Sequence, residues 1–229
     1  MDKYRHELKY IVSQAQIPLL KSRISHVMQL DPHVAASGMY NVRSLYFDDC
    51  KNSCYFDIEN GTDPREKIRL RIYDHSAKRI SLERKQKEKG KTLKTSCIIS
   101  QEQCVSLLNG EIPDMIGQPF LWLNMLLQMR TKFLRPVTVV EYERSPYVYK
   151  DGNVRVTFDT NLSSSDHFKG FFDDALPERP VMPAGWHLME VKFDEYLPDF
   201  IYSALNLDIL RQTSYSKYYL CRKYALRGV

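Results

Sequence analysis

The sequence predicts an α+β fold, an antiparallel β-barrel tunnel with a charged lumen, flanked by helices. Three observations point to it. Strand-length segments alternate between an apolar face and a face of long charged side chains. The pattern recurs from the first strand to the last. The helical segments between them are apolar enough to need a sheet surface to cover.

The first strand is Tyr4 to Val12, where Arg5, Glu7 and Lys9 share one face and Leu8, Tyr10 and Val12 the other. Ile17 to Leu30 reads as a helix, with Ile17, Leu20, Ile24, Val27 and Met28 at helical spacing. Pro18 suits its first turn, and Asp31-Pro32 ends it. Val42 to Asp48 is a second strand, and Asn60-Gly61 a turn. Lys67 to Tyr73 sets Arg69, Arg71 and Tyr73 against Ile68, Leu70 and Ile72, and Arg79 to Lys87 sets Glu83 and Lys85 against Ile80 and Leu82. The run around Gly90, KEKGKTLK, reads as a basic turn. Ser100 to Leu108 is a helix with Ser100 and Gln103 in capping-box register, and Pro119 to Met129 is an apolar helix.

Strands resume at Val137 to Arg144. Asp151-Gly152 makes a hairpin turn into Asn153 to Thr160, where Arg155, Thr157 and Asp159 oppose Val154, Val156 and Phe158. His187 to Asp194 groups Glu190, Lys192 and Asp194. Helices finish the chain at Asp199 to Leu205 and Tyr215 to Leu226.

A half-exposed antiparallel sheet would also alternate apolar and polar residues. Here, however, the polar faces carry long cations with a carboxylate among them, and few Ser, Thr or Gln. Turning the apolar faces outward under the helices and the charged faces inward accounts for both. Lys and Arg are rarely buried without partners. A lumen holding Lys9, Arg69, Arg71, Lys85, Arg144, Arg155 and Lys192 has too few acids to neutralise it and needs a polyanionic guest.

The bulk numbers fit one domain spanning residues 1–229: 43% of residues are hydrophobic, and 33 basic against 28 acidic residues leave a formal charge of +5. Five cysteines without zinc spacing read as free thiols, which suit a reducing cytosol. No signal peptide or membrane span is legible, so the expected location is cytoplasmic. The histidines show no ligand spacing, and Asp48-Asp49 reads as a turn after a strand rather than a metal site. KQKEKGKTLK, at 85–94, reads as a solvated hairpin before a tunnel rim, and nucleic acid is not an expected partner. No P-loop and no Ser-His-Asp set supports another enzyme class.

The motifs Y-R-H-E-L-K-Y at 4–10, S-L-Y-F-D-D at 44–49, R-L-R-I-Y at 69–73 and L-E-R-K at 82–85 are followed by Y-E-R at 142–144, R-V-T-F-D at 155–159, M-E-V-K at 189–192 and S-Y-S-K-Y at 214–218. In this order and spacing the chain resembles the triphosphate tunnel metalloenzyme (CYTH-like) superfamily, and within it the VTC-type polyphosphate polymerase domain. The resemblance implies that Lys9, Arg69, Arg71, Lys85, Arg144, Arg155 and Lys217 bind phosphates, with Lys192, Lys94 and Tyr142 as further substrate contacts. It implies that Glu190 holds a divalent metal, Mn2+ or Mg2+, with Glu7, Glu83 and Asp159 as helpers.

The hydrolytic branch begins E-x-E-x-K, whereas this chain reads Arg5-His6-Glu7-Leu8-Lys9, one metal-binding carboxylate fewer and one cation more. The departure leans toward holding a long phosphate chain over activating water. The SPX and membrane regions of the eukaryotic complex are not in this sequence, so coupling to membrane transport is not implied. The expected function is a metal-dependent polyphosphate polymerase using ATP and inorganic polyphosphate. The alternatives are a tripolyphosphatase or nucleoside triphosphatase, and a non-catalytic polyphosphate-binding module. The metal, the nucleotide donor and the oligomeric state are not legible.

Overall fold

A computed structural model describes residues 5–34, 37–89, 91–112 and 119–227. Tyr4 and Gly90 lie outside them. The elements run β1 (His6–Ser13), α1 (Gln16–Ser25), β2 (Gln29–Leu30), β3 (Tyr40–Asp48), α2 (Ser53–Glu59), β4 (Arg65–Tyr73), β5 (Ser76–Glu88), β6 (Lys91–Ile99) and α3 (Gln101–Leu108). They continue with α4 (Phe120–Lys132), β7 (Arg135–Tyr149), β8 (Val154–Ser165), β9 (Arg179–Pro180), β10 (Trp186–Phe193), α5 (Asp199–Ala204) and α6 (Lys217–Arg227).

The strands form one antiparallel sheet in the order β1-β10-β8-β7-β3-β4-β5-β6, with β2 added to β7 and β9 to β8. It curls until its two edges meet, where Arg5 bridges Thr92. The outer face is apolar and covered in two places. Leu45, Phe47, Leu70, Leu82 and Val139 pack beneath α3 and α4, whose Leu107, Trp122, Met125 and Leu126 are buried. Val156, Phe158, Met189 and Val191 pack beneath α1 and α5. Each such fully buried side chain contributes about 1.5–3 kcal/mol by leaving water.

The inner face is not charged throughout. At one end α6 lies against it, with Tyr218 and Cys221 packed on Val42, Tyr46, Val140, Tyr142 and Leu188. The expected all-charged interior is thus half apolar plug and half charged chamber. Nor do all strand charges face inward. Arg43 and Glu141 pair at 2.5 Å on the outer side, and Arg43 also donates to the carbonyls of Phe171 and Asp173.

Several element boundaries differ from the sequence expectation for identifiable reasons. Helix α1 stops at Ser25 because Gln29 and Leu30 pair with Val148 and Tyr147 of β7. Strand β7 runs past Arg144 to Tyr149 despite Pro146, which lacks an N–H but still offers its carbonyl to the Asp31 N–H at 3.1 Å. The basic turn expected around Gly90 joins β5 to β6, with Glu88 opposite Lys91; the strand beyond it, to Ile99, is not among the expected elements, because only Cys97 and Ile99 join the core and its other side chains are mostly polar and half-exposed. Asp48-Asp49 is more than a turn. Asp48 accepts from the N–H groups of Cys54 and Tyr55, and Asp49 from that of Ser53, so the pair caps α2. The Ser100–Gln103 capping box is present at α3. All five cysteines are free, and among the described residues no helix is long and apolar enough to cross a membrane.

Candidate functional site

Alternation along the curled strands delivers the charged side chains to one chamber. Lys9, Lys67, Arg69, Arg71, Lys85, Arg144, Lys192 and Lys217 line it, against the carboxylates of Glu7, Glu83 and Glu190. Two cavities adjoin the chamber and share part of its lining. The first mouth carries Tyr40, Tyr73, Lys94 and Arg155; the second carries Arg65, Lys87, Ser214 and Ser216.

The acids divide the chamber into clusters. Around Glu190 stand Lys217 at 2.6 Å, Lys192 at 3.1 Å, Arg144 at 3.5 Å and Lys9 at 4.0 Å. Register explains the gathering, because Glu190 pairs with Lys9 on β1 and with Thr157 on β8, while α6 delivers Lys217 from the plug. Behind it, Asp159 holds Arg144 through both oxygens at 2.6 and 2.7 Å and Lys217 at 2.6 Å. Glu7 joins this side through Lys85 at 2.5 Å, Lys9 at 3.6 Å and Lys192 at 3.7 Å. Glu83 forms a separate cluster with Lys94 at 2.6 Å, Arg69 at 2.7 Å and Arg71 at 3.9 Å, none of which pairs with Glu190.

Burial would raise the acids' pKa values, but the surrounding cations win. Lys217, Lys192, Lys9 and Arg144 hold Glu190 well below the usual range, and Lys192, Lys85 and Lys9 do the same for Glu7. The lysines show the opposite strain. Burial, aided by cationic neighbours, lowers Lys67 to about 7 and Lys85 to about 8 from the ordinary 10.5. Tyr142 lies beneath Arg144 and Lys217, 5.1 and 4.8 Å from its ring centre, and accepts from Arg71 at 3.3 Å. So lined, the chamber sets eight cationic side chains against three carboxylates.

Of the residues expected at the site, Lys9, Arg69, Arg71, Lys85, Arg144, Lys192, Lys217, Tyr142, Glu7, Glu83 and Glu190 meet in the chamber, with Asp159 just behind it. Arg155 and Lys94 stand at the first mouth, where Arg155 pairs with Asp31 at 2.9 Å and donates to the Tyr40 hydroxyl. Arg5, in place of the hydrolytic branch's first glutamate, pairs with Asp194. Sequence reasoning missed Lys67, Tyr46 and Ser216. Lys67 shares a strand face with Arg69 and Arg71, and Tyr46, which accepts from Arg69 at 2.7 Å, shares one with Ser44, so the alternation already contained both; Ser216 lies inside the S-Y-S-K-Y run without a role assigned to it.

Among the described residues no three acids or other ligating side chains are grouped to hold a metal by themselves. Glu190 beside Glu7 nevertheless offers hard carboxylate oxygen, which suits Mn2+ or Mg2+ completed by phosphate oxygens.

Comparison with curated proteins finds no match to the sequence. Solved structures share the fold. HpAC1 of Hippeastrum, described as a candidate adenylyl cyclase with a dominant triphosphatase activity, superposes with a TM-score of 0.60 at 12% identity, over 97% of this chain and 96% of its own. A candidate adenylate cyclase of Bacillus halodurans gives 0.54 at 15% identity over 94% and 95%, and protein PH1819 of Pyrococcus horikoshii gives 0.50 at 14% over 99% and 100%. Residues 4–226 match the VTC domain, and the chain belongs to the VTC domain family.

Proposed function

We propose that this chain is a metal-dependent polyphosphate polymerase of the cytoplasm, one tunnel domain that transfers the γ-phosphate of ATP to a growing polyphosphate chain. The observation that carries the reading is a cation lining that continues from one mouth through the chamber to the other, with a charge excess that its own acids do not offset. A second cationic mouth gives a chain longer than a triphosphate a path out of the chamber.

Phosphoryl transfer asks chiefly for positioning and for neutralisation of the equatorial oxygens. Arg69, Arg71 and Lys94, oriented by Glu83, present one wall of donors. Arg144 and Lys217, oriented by Asp159 and Glu190, present the other, with Tyr142 between. Arginine gives planar bidentate contacts, while Lys9, Lys85 and Lys192 supply mobile point charges. A terminal oxygen of the chain attacks the γ-phosphorus in line as the bond to the bridging oxygen breaks, and ADP leaves with that electron pair. The nucleophile is already anionic, so no general base is required. The divalent ion would be held by Glu190, with Glu7 beside it, and would supply charge neutralisation between phosphate groups.

The test is to incubate the protein with ATP and Mn2+ and follow long-chain polyphosphate on a stained gel beside free phosphate. Chains that form, and fail to form in Glu190→Gln, support the polymerase. Free phosphate without chains assigns hydrolysis, the activity described for the Hippeastrum protein. Polyphosphate binding with neither product leaves a binding module.

A further inference from the structure

Lys67 differs from every other cation of the chamber. Among the described residues, Lys9, Arg69, Arg71, Lys85, Arg144, Lys192 and Lys217 each have a carboxylate within 4.0 Å, and Lys67 has none. Its hydrogen bond goes to the Ser216 hydroxyl at 2.9 Å. Directly across the strands it is in register with Lys85, which is in register with Lys94, so three lysines follow one another across one wall. Lys85 has Glu7 and Lys94 has Glu83 as partners; Lys67 stands near Lys9, Lys85, Arg69 and the Cys54 thiol, and although it also lines a small cavity with Asp48, Asp57 and Glu66, none of these carboxylates comes within 4.0 Å of it.

A side chain kept for the fold would not be built this way. Like charges opposite one another weaken a sheet, and a buried ammonium ordinarily has an anionic partner. The position also matters. Lys67 lines the chamber and the second mouth but not the first. It lies four residues along β4 from Arg71, about 13 Å at the rise of a strand. Ser216 accepts from Lys67 and from the Tyr219 N–H at 3.3 Å, which leaves its own proton for an oxygen in the lumen.

We propose that Lys67 and the Ser216 hydroxyl form a phosphate subsite at the second mouth that engages a polyphosphate chain beyond a triphosphate seated between Arg71 and Arg144, and so favours long chains. The proposal rests on the phosphate-handling reading above and names the residue that gives it length selectivity.

Calorimetric titration of tripolyphosphate and of long-chain polyphosphate into the wild type, Lys67→Met and Lys67→Arg tests it. Loss of one charge-assisted contact should weaken long-chain binding about tenfold in Lys67→Met, with tripolyphosphate changed less than about twofold. Lys67→Arg should keep both within about threefold. The ligand-free melting temperature of Lys67→Met should hold or rise, because an unpaired buried charge has been removed. Equal weakening of both ligands, or unchanged long-chain binding, overturns the proposal. A wild type that binds neither ligand overturns the phosphate reading itself, a distinguishable failure.

Discussion

Asp159→Asn removes a charge and almost no volume, which makes it a clean probe of how the chamber is held. The Asp159 side chain is excluded from solvent, and both its oxygens are occupied by Arg144 and Lys217. Burial works against its charged form, but those two cations keep the carboxyl low. In the variant, Arg144 and Lys217 retain only Glu190, at 3.5 and 2.6 Å. Removing one partner of a buried ion pair costs about 3–5 kcal/mol. With Glu190 still in place the lower end applies, about 3 kcal/mol, or a fall in Tm of about 6–12 °C for a chain of this size. Saturating tripolyphosphate should restore the missing negative charge and shrink that gap by about half or more. Thermal unfolding of both proteins, with and without tripolyphosphate and without divalent metal, measures it. A loss below about 1 kcal/mol, or a gap that tripolyphosphate leaves intact, would refute the claim that these cations are poised toward a phosphate-filled lumen.

Charge reversal at Arg71, which reaches Ser44, Tyr142 and Glu83 in the chamber wall, should lower polyphosphate affinity by more than about 100-fold in a filter-binding assay; near-normal binding would count heavily against the tunnel. The lowered lysines predict a proton linkage of definite sign. Lys67 and Lys85, near 7 and 8 in the ligand-free chain, are returned toward their ordinary 10.5 by a polyanion, so binding takes up protons and strengthens as pH falls from about 9 to 7. Titration in two buffers of different ionisation enthalpy should reveal the uptake, and identical heats would contradict it. At the β7–β8 turn, Gly152 has φ 72° and a Cβ there would lie 2.7 Å from the Tyr196 carbonyl oxygen. Gly152→Ala should therefore cost about 1–3 kcal/mol in urea unfolding, and an unchanged midpoint would show that the turn relaxes freely.

The strands with a strong apolar face, such as Lys67 to Tyr73 and His187 to Asp194, were legible because period-two alternation is a property of the sequence itself. So was the α3 capping box, which depends on residues three apart. What stayed hidden depended on distant partners. Gln29 and Leu30 look helical until β7 is present to pair with them, and β6 is weakly announced because only Cys97 and Ile99 join the core while most of its side chains remain half-exposed. Within the site, alternation placed the cations on one face but could not group them. That Glu83 serves Arg69 and Lys94 while Glu190 serves Lys217 and Lys192 follows from sheet register and from α6, neither of which is written locally. The apolar half of the interior was illegible for the same reason, since Val42, Tyr46 and Val140 read as strand residues with no sign that a helix covers them.

The pairing of β1 with β10 sets His6 opposite Phe193, so the first strand waits for nearly the whole chain to be synthesised before it finds its neighbour. Such long-range closure is slow. Until it happens, β7, β3, β4 and β5 can already form a trough of arginines and lysines, while Glu190 and the helix that carries Lys217 are still to come. On the phosphate reading proposed above, an anion that settled in that trough would bind the maturing chain as well as the finished one and favour closure of the sheet around itself.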